Sequence, residues 1–243
     1  MKIVGTVLMT LYFFAQSVIQ NGVLDVPHRT TQEINELVAA NNDFFMMTGA
    51  ASVFMLIGSV SLPIFAYLLV IGIEKTSNLK RYILLVLAAA VLTEIPYDWA
   101  VSGNPFNFGE QCFLWTILIS LIMLALMKTF SGKSVAAVII NIMLIFGGCV
   151  WAIFFKSIFG GGFVLMTAVL YLLRESKGWS IFFGVIISLI YISAPLGFIL
   201  VALYSGERRN LDKKSSKYGY YICCPIIALG CALLTNLFVI GIA

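Results

Sequence analysis

Long apolar runs broken by short polar joints set the pattern of this chain. They fall at about residues 3–23, 48–73, 80–98, 111–129, 134–155, 158–173, 179–205 and 218–241. About 20 apolar residues cross a bilayer core as a helix, so the runs predict an all-α, polytopic membrane bundle. Barrel strands would alternate apolar and polar positions, and these runs do not. The run WSIFFGVIISLIYISAPLGFILVALY, Trp179 to Tyr204, admits two readings. It is either one long helix bent at Pro195 or two short helices turning at Ile192 to Pro195. The bundle therefore has eight or nine transmembrane helices.

The joints carry the charges, and their signs choose an orientation. Lys and Arg accumulate on the cytoplasmic side of a membrane protein. With the N-terminus inside, Lys75, Lys80, Arg81, Lys128, Lys133, Arg174 and Lys177 all fall inside. If 179–204 turns back on itself, the basic loop 206–217 joins them, and 13 of the 15 basic residues, all but Arg29 and Lys156, are cytoplasmic. A single crossing would strand five of them outside, so the turn-back and nine helices are preferred. The outer loop 24–47 has a pattern of its own. HRTTQEINELVAANNDFF places Ile34, Leu37 and Val38 at i, i+3 and i+4, with Thr30 or Thr31 as cap and Glu33 in the first turn. This predicts a short amphipathic helix on the outer surface. Neither solenoid-type repeats nor low-complexity segments occur, so residues 1–243 read as a single transmembrane domain.

Composition closes off other classes. Of the 243 residues 61% are hydrophobic and only 11% charged, with a mean hydropathy of +1.02. A soluble domain carries about 25% charged residues. The net charge of +4 comes from scattered bases flanking apolar runs and is no nucleic-acid signal. The five cysteines show no metal spacing, and the single histidine, His28, leaves no His-rich metal site to build. MKIVGTVLMTLYFFAQSVIQNG reads as a first spanning helix, because Gln16, Gln20 and Asn21 interrupt it and no A-x-A site follows.

Candidate chemistry sits where polar groups interrupt lipid-grade sequence, since an intramembrane ionisable residue is costly. TEIPYDWA is the main case. Glu94 lies 13 residues beyond Arg81, roughly 20 Å along a helix, and Asp98 shares its face. Pro96 removes a backbone donor and frees a carbonyl near Leu92, so the helix is expected to bend or end there. Together these predict a cavity open to the outside, lined by Glu94, Asp98 and Tyr97, with a carboxylate suited to acid–base work. In QSVIQNG, Gln16 and Gln20 share a face and read as helix–helix hydrogen-bonding groups. Glu110 and Gln111 open the next helix and are expected to face the same outer pocket. GGG at 160–162 lacks the Lys-Ser/Thr of a phosphate loop. With its only His in an outer loop, the chain offers no Ser–His–Asp or Cys–His set.

Seven ordered pieces resemble the TraX family, the F-pilin acetylation proteins, related to broader membrane acyltransferases. They are MKIVGTVLM, SLPIFAYLLVIGIEKTSNLKRYILLVL, TEIPYDWAVSG (resembling E-I-P-[FY]-D), EQCFLWTILISLIML, FVLMTAVLYLLR, ALYSGERR and KYGYYICCPI. The resemblance implies transfer of an acetyl group from a cytoplasmic donor, acetyl-CoA or another acyl-CoA, to an acceptor at or beyond a bacterial inner membrane. Charge and Cys/His content lead us to expect no metal and no nucleic acid. Glu94, Asp98, Gln111, Tyr204 and Arg208 match the family pattern. Glu94 and Asp98 are then the candidate catalytic pair. Gln111, Tyr97, Tyr204 and Arg208 are candidate substrate contacts, with Arg208 and its neighbouring bases gripping donor phosphates. The chain departs from the pattern elsewhere. Tyr12 and Phe13 stand where the family carries Asp-His, Ser59 where it carries Arg, Cys112 where it carries Asn, and Ile227 where it carries the last His. Three functional classes fit: an acyltransferase using Glu94 as base, an inactive relative serving as membrane scaffold or partner subunit, and a small transporter. The last lacks the support of an inverted repeat.

Overall fold

In the computed structural model the first apolar run forms one rod in two registers. Helix α1 (Lys2–Phe14) passes without a break into a π-helix, Ala15–Val23. The model describes residues 1–130, 132, 134–191, 194–204 and 214–242, with side chains described outside 191, 214–221 and 237–242. Within these the chain is helical, with one isolated bridge between Gln111 and Ser157. Arg208 and the basic loop up to Lys213 lie outside the described residues, as does the 192–193 part of the expected turn.

A surface helix, α2 (Thr31–Ala40), follows the first rod. Its N-terminus is a capping box: Thr30 Oγ1 accepts from the Glu33 N–H, and Glu33 accepts from the Thr30 N–H at 2.8 Å. Ile34, Leu37 and Val38 are half-buried, while the rest of the helix is exposed. That is the amphipathic element its spacing predicts.

Helices α3 (Asn42–Ser59) and α4 (Ser61–Lys75) form a 34-residue rod jointed at Val60. The joint has a local cause. Pro63 lacks an N–H, and its ring would crowd the carbonyl of Ser59 in a continuous helix. Gly197 fills the notch, where a Cβ would lie 2.4 Å from the Val60 carbonyl oxygen. Helix α5 (Leu79–Ser102) is capped by the Asn78 side chain and ends at Gly103 in the left-handed region. It continues through Pro96, so the helix does not end there. Then come α6 (Phe113–Thr129), α7 (Val135–Phe154), α8 (Gly160–Leu172), α9 (Lys177–Tyr191), α10 (Gly197–Leu203) and α11 (Lys214–Ile242).

Among the described residues, four helical stretches are long and apolar enough to cross a membrane: Lys2–Val23, Asn42–Lys75, Leu79–Ser102 and Val135–Phe154. Phe113–Thr129, Gly160–Leu172, Lys177–Ile190 and Ile222–Asn236 are apolar but shorter. The packing explains the differing exposure. Helices α4, α6 and α8 sit in the centre, with Leu62, Leu69, Leu121, Leu124, Phe163 and Met166 buried. Helix α7 instead presents Val138, Ile142, Phe146 and Trp151 outward, as lipid-facing helices do.

The segment 179–204 does turn back. Lys177 at the start of α9 donates to the carbonyls of Ala202 (2.9 Å), in the last turn of α10, and Tyr204 (2.8 Å), just past it. At that same end Arg174 pairs with Glu74 at 3.0 Å, and Lys128 donates to the Ile73 carbonyl at 2.8 Å. The ends of α4, α6 and α8 and the start of α9, with Lys128, Arg174 and Lys177, therefore gather at one end of the bundle. The opposite end holds the α5–α6 loop laced to the α7–α8 loop. There the Gln111 N–H donates to Lys156 O, Ile158 N–H to Gln111 O, and Thr116 Oγ1 to Ile158 O.

Candidate functional site

Both acids of α5 are committed to the loop that follows them. The Glu94 carboxylate accepts from the Trp115 indole N–H at 2.7 Å and from the Cys112 N–H at 3.3 Å. Cys112 is the N-cap of α6, whose exposed N–H groups and dipole favour an anion. Asp98 is buried, and its Oδ2 accepts from the Asn107 N–H at 2.8 Å. Asn107 in turn holds the Gly109 N–H and, through its carbonyl, the Gln111 side chain at 3.0 Å. Glu94, Asp98 and Gln111 thus clamp residues 103–112 into one shape. Asp98 Oδ1 is buried without a partner.

Two cavities lie on the neighbouring face of α5. The deeper is an apolar crevice of ≈ 90 Å³ between α1, α4, α5, α6 and α11. Its wall runs from Thr6 through Thr10 and Phe13 to Gln16, about 15 Å of helix at 1.5 Å per residue. Tyr97 lines it, stacked on Phe13 at 5.2 Å, with its hydroxyl buried and unpartnered. The second is a polar recess of ≈ 370 Å³ lined by Gln16, Gln20, Asn21, His28, Asn107 and Glu110, among others. Gln16 belongs to both. Its amide N–H₂ donates to Glu110 Oε1 at 3.4 Å, while its Oε1 is buried without a partner.

The π-helix is what gathers this wall. Bonding from i to i+5 puts residues five apart on one face, so Asn21 joins Gln16 instead of turning away. Asn21 then donates to the Val101 carbonyl at 3.0 Å and ties the first rod to α5. Gly22 lets the π-turns approach α11, since a Cβ there would meet Thr235 Cγ2 at 3.3 Å. At the recess, burial raises the Glu110 carboxyl above its ordinary range, and the Gln16 hydrogen bond offsets part of that rise.

The expected site is therefore redistributed. Glu94, Asp98, Tyr97 and Gln111 come together at one end of the bundle, but of these four only Tyr97 lines either of these two cavities. The two carboxylates point at backbone and indole donors of the following loop and helix instead. Tyr204 lies at the opposite end, its ring 6.3 Å from that of Tyr67, near Lys177. Arg208 is outside the described residues. Of the polar residues of QSVIQNG, expected to bond helix to helix, Asn21 does so, and Gln16, Gln20 and Asn21 also line the recess, as does Glu110. His28, a loop residue in the sequence, also lines the recess, paired with Asp25 three residues earlier.

Comparison with known proteins gives one match. The family described as TraX protein matches residues 1–231. No curated protein and no solved structure matches the chain. Of the five positions that the sequence resemblance sets apart from the family pattern, Tyr12, Phe13, Cys112 and Ile227 line the same apolar crevice.

Proposed function

The chain belongs to the TraX family, and we propose that it acts as a membrane acyltransferase for a short acyl group. The observation that carries this reading is the meeting of an apolar crevice and a polar recess at Gln16. The crevice has several times the ~10–15 Å³ one water needs, which leaves room for a small acyl group. The recess supplies hydrogen-bonding groups for an acceptor. In this reading the N-terminus is cytoplasmic and the protein sits in a bacterial inner membrane with eight or nine crossings. The gathering of Lys75, Lys128, Arg174 and Lys177 near one end of the bundle supports that orientation. The donor is an acyl-CoA, whose phosphates meet the basic end, with Tyr204 and Arg208 among the contacts expected there. Its acyl group reaches the crevice from the Thr6 side.

Glu94 and Asp98 serve here as anchors of the loop that carries Glu110. The test is consumption of radiolabelled acetyl-CoA by purified protein in nanodiscs, with small alcohols and amines as acceptors. We expect transfer by the wild type and by Glu94→Gln at rates within about tenfold. Loss of transfer in a fully folded Glu94→Gln protein reinstates Glu94 as the base.

A second reading is favoured by one observation. Tyr12, Phe13, Cys112 and Ile227 replace polar family residues around the crevice, as expected of a relative that holds an acyl group or a partner without transferring it. Binding of acyl-CoA without consumption would select that reading.

A further inference from the structure

The polar recess has a feature that neither the fold nor the acyl-transfer reading requires. His28 lines it, and its Nδ1 lies 2.5 Å from Asp25 Oδ1. A carboxylate only accepts, so in the neutral ring Nδ1 carries the proton and Nε2 keeps its lone pair. The pair is held by a tight turn. Asp25 has φ 50° and ψ 40°, a left-handed backbone that costs a non-glycine residue energy. Pro27 then sets the 3₁₀ turn Val26–His28, and Arg29 Nε closes it on the Leu24 carbonyl at 3.0 Å. The turn follows directly on the π-helix that supplies Gln16, Gln20 and Asn21 to the same recess. The His28 side chain is 74% exposed, so an acceptor arriving from the outer side meets it first. The charged groups around it are Asp25 on its own turn, Arg29 next in sequence and Glu110 across the recess.

We propose that His28 is the general base of this protein's acyl transfer, with Asp25 as its positioning residue. The inference rests on the reading above, in which an acyl thioester is the donor and an alcohol or amine in the recess is the acceptor. The acceptor's O–H or N–H proton passes to Nε2. Its oxygen or nitrogen bonds to the thioester carbonyl carbon, and the C–S bond breaks. The imidazolium then returns its proton to the departing thiolate. Asp25 keeps the reactive tautomer and stabilises the imidazolium as it forms, which is the logic of a His–Asp pair. This restores to the mouth of the site the imidazole that the walls of the crevice lack.

Because His28 is the only histidine in the chain, its ring can be read without interference. In ¹⁵N-histidine-labelled protein at alkaline pH, we expect one neutral tautomer with the proton on Nδ1, shifting toward Nε2–H in Asp25→Asn. In the transfer assay, His28→Ala should lose about 10²–10⁴-fold in kcat, the span of general-base contributions. Added imidazole should recover part of that loss. Transfer by the wild type with His28→Ala unchanged overturns this assignment and leaves the acyltransferase reading intact. No transfer by the wild type overturns both. An Nε2–H ring in the wild type overturns the assignment whatever the activity.

Discussion

Removing the Glu94 carboxylate tests whether that group builds the site or performs its chemistry. Glu94→Ala strands two donors, the Trp115 indole N–H at 2.7 Å and the Cys112 N–H at 3.3 Å. A donor left unsatisfied costs about 1–3 kcal/mol. Trp115 is half-buried and recovers some water, whereas Cys112 is buried, so the two together cost about 2–4 kcal/mol. Glu94→Gln keeps an acceptor oxygen for the indole and loses only the charge assistance, which is roughly half of a charged bond's strength, so we expect about 1 kcal/mol. The assay is unfolding in mixed dodecylmaltoside–SDS micelles followed by circular dichroism. The order wild type, Glu94→Gln, Glu94→Ala, spaced as stated, is the expected result. A Glu94→Ala protein within about 0.5 kcal/mol of wild type, at the level of an ordinary surface change, would refute the anchoring role.

Two further predictions use other parts of the fold. Gly58 packs α3 onto α1 so closely that a Cβ would lie 2.5 Å from Tyr12 Cβ and 2.8 Å from the Leu8 carbonyl oxygen, whereas Gly49 on the same helix has nothing within 4 Å. Gly58→Ala should cost about 1–3 kcal/mol and Gly49→Ala should stabilise by about 0.5–1 kcal/mol, both read by the same unfolding assay. The Glu110 carboxyl is raised in the folded protein by burial, so the native state holds its proton to higher pH than the unfolded chain. Its destabilising contribution is absent below the ordinary carboxylate range and grows as pH rises through the folded value. Glu110→Gln should abolish that part of the pH dependence of stability, and an unchanged slope would contradict it.

Much of the architecture was legible because bilayer and helix impose short-range rules. Apolar run length marked the helices. Thr30 and Glu33 at cap spacing announced α2, and the sidedness of Lys and Arg required the reversal between α9 and α10. The site was less legible because its geometry rests on distant partners. Glu94 meets an amide 18 residues away and Asp98 one nine residues away, and no local pattern fixes which way those carboxylates turn. The π-register of Ala15–Val23 depends on packing against α3, α5 and α11, not on propensity, so Asn21 could not be placed beside Gln16 in advance. Pro96 was expected to bend or end α5, and the helix continues past it to its cap at Gly103.

The most direct test of the acyl-transfer account is to fill the crevice. Ala228 is buried on its α11 wall, and Ala228→Phe would occupy much of its ≈ 90 Å³ without touching the recess. In proteoliposomes given acetyl-CoA and an acceptor, the account predicts transfer by the wild type and its near-complete loss in a folded Ala228→Phe protein. Undiminished transfer in that variant would contradict it.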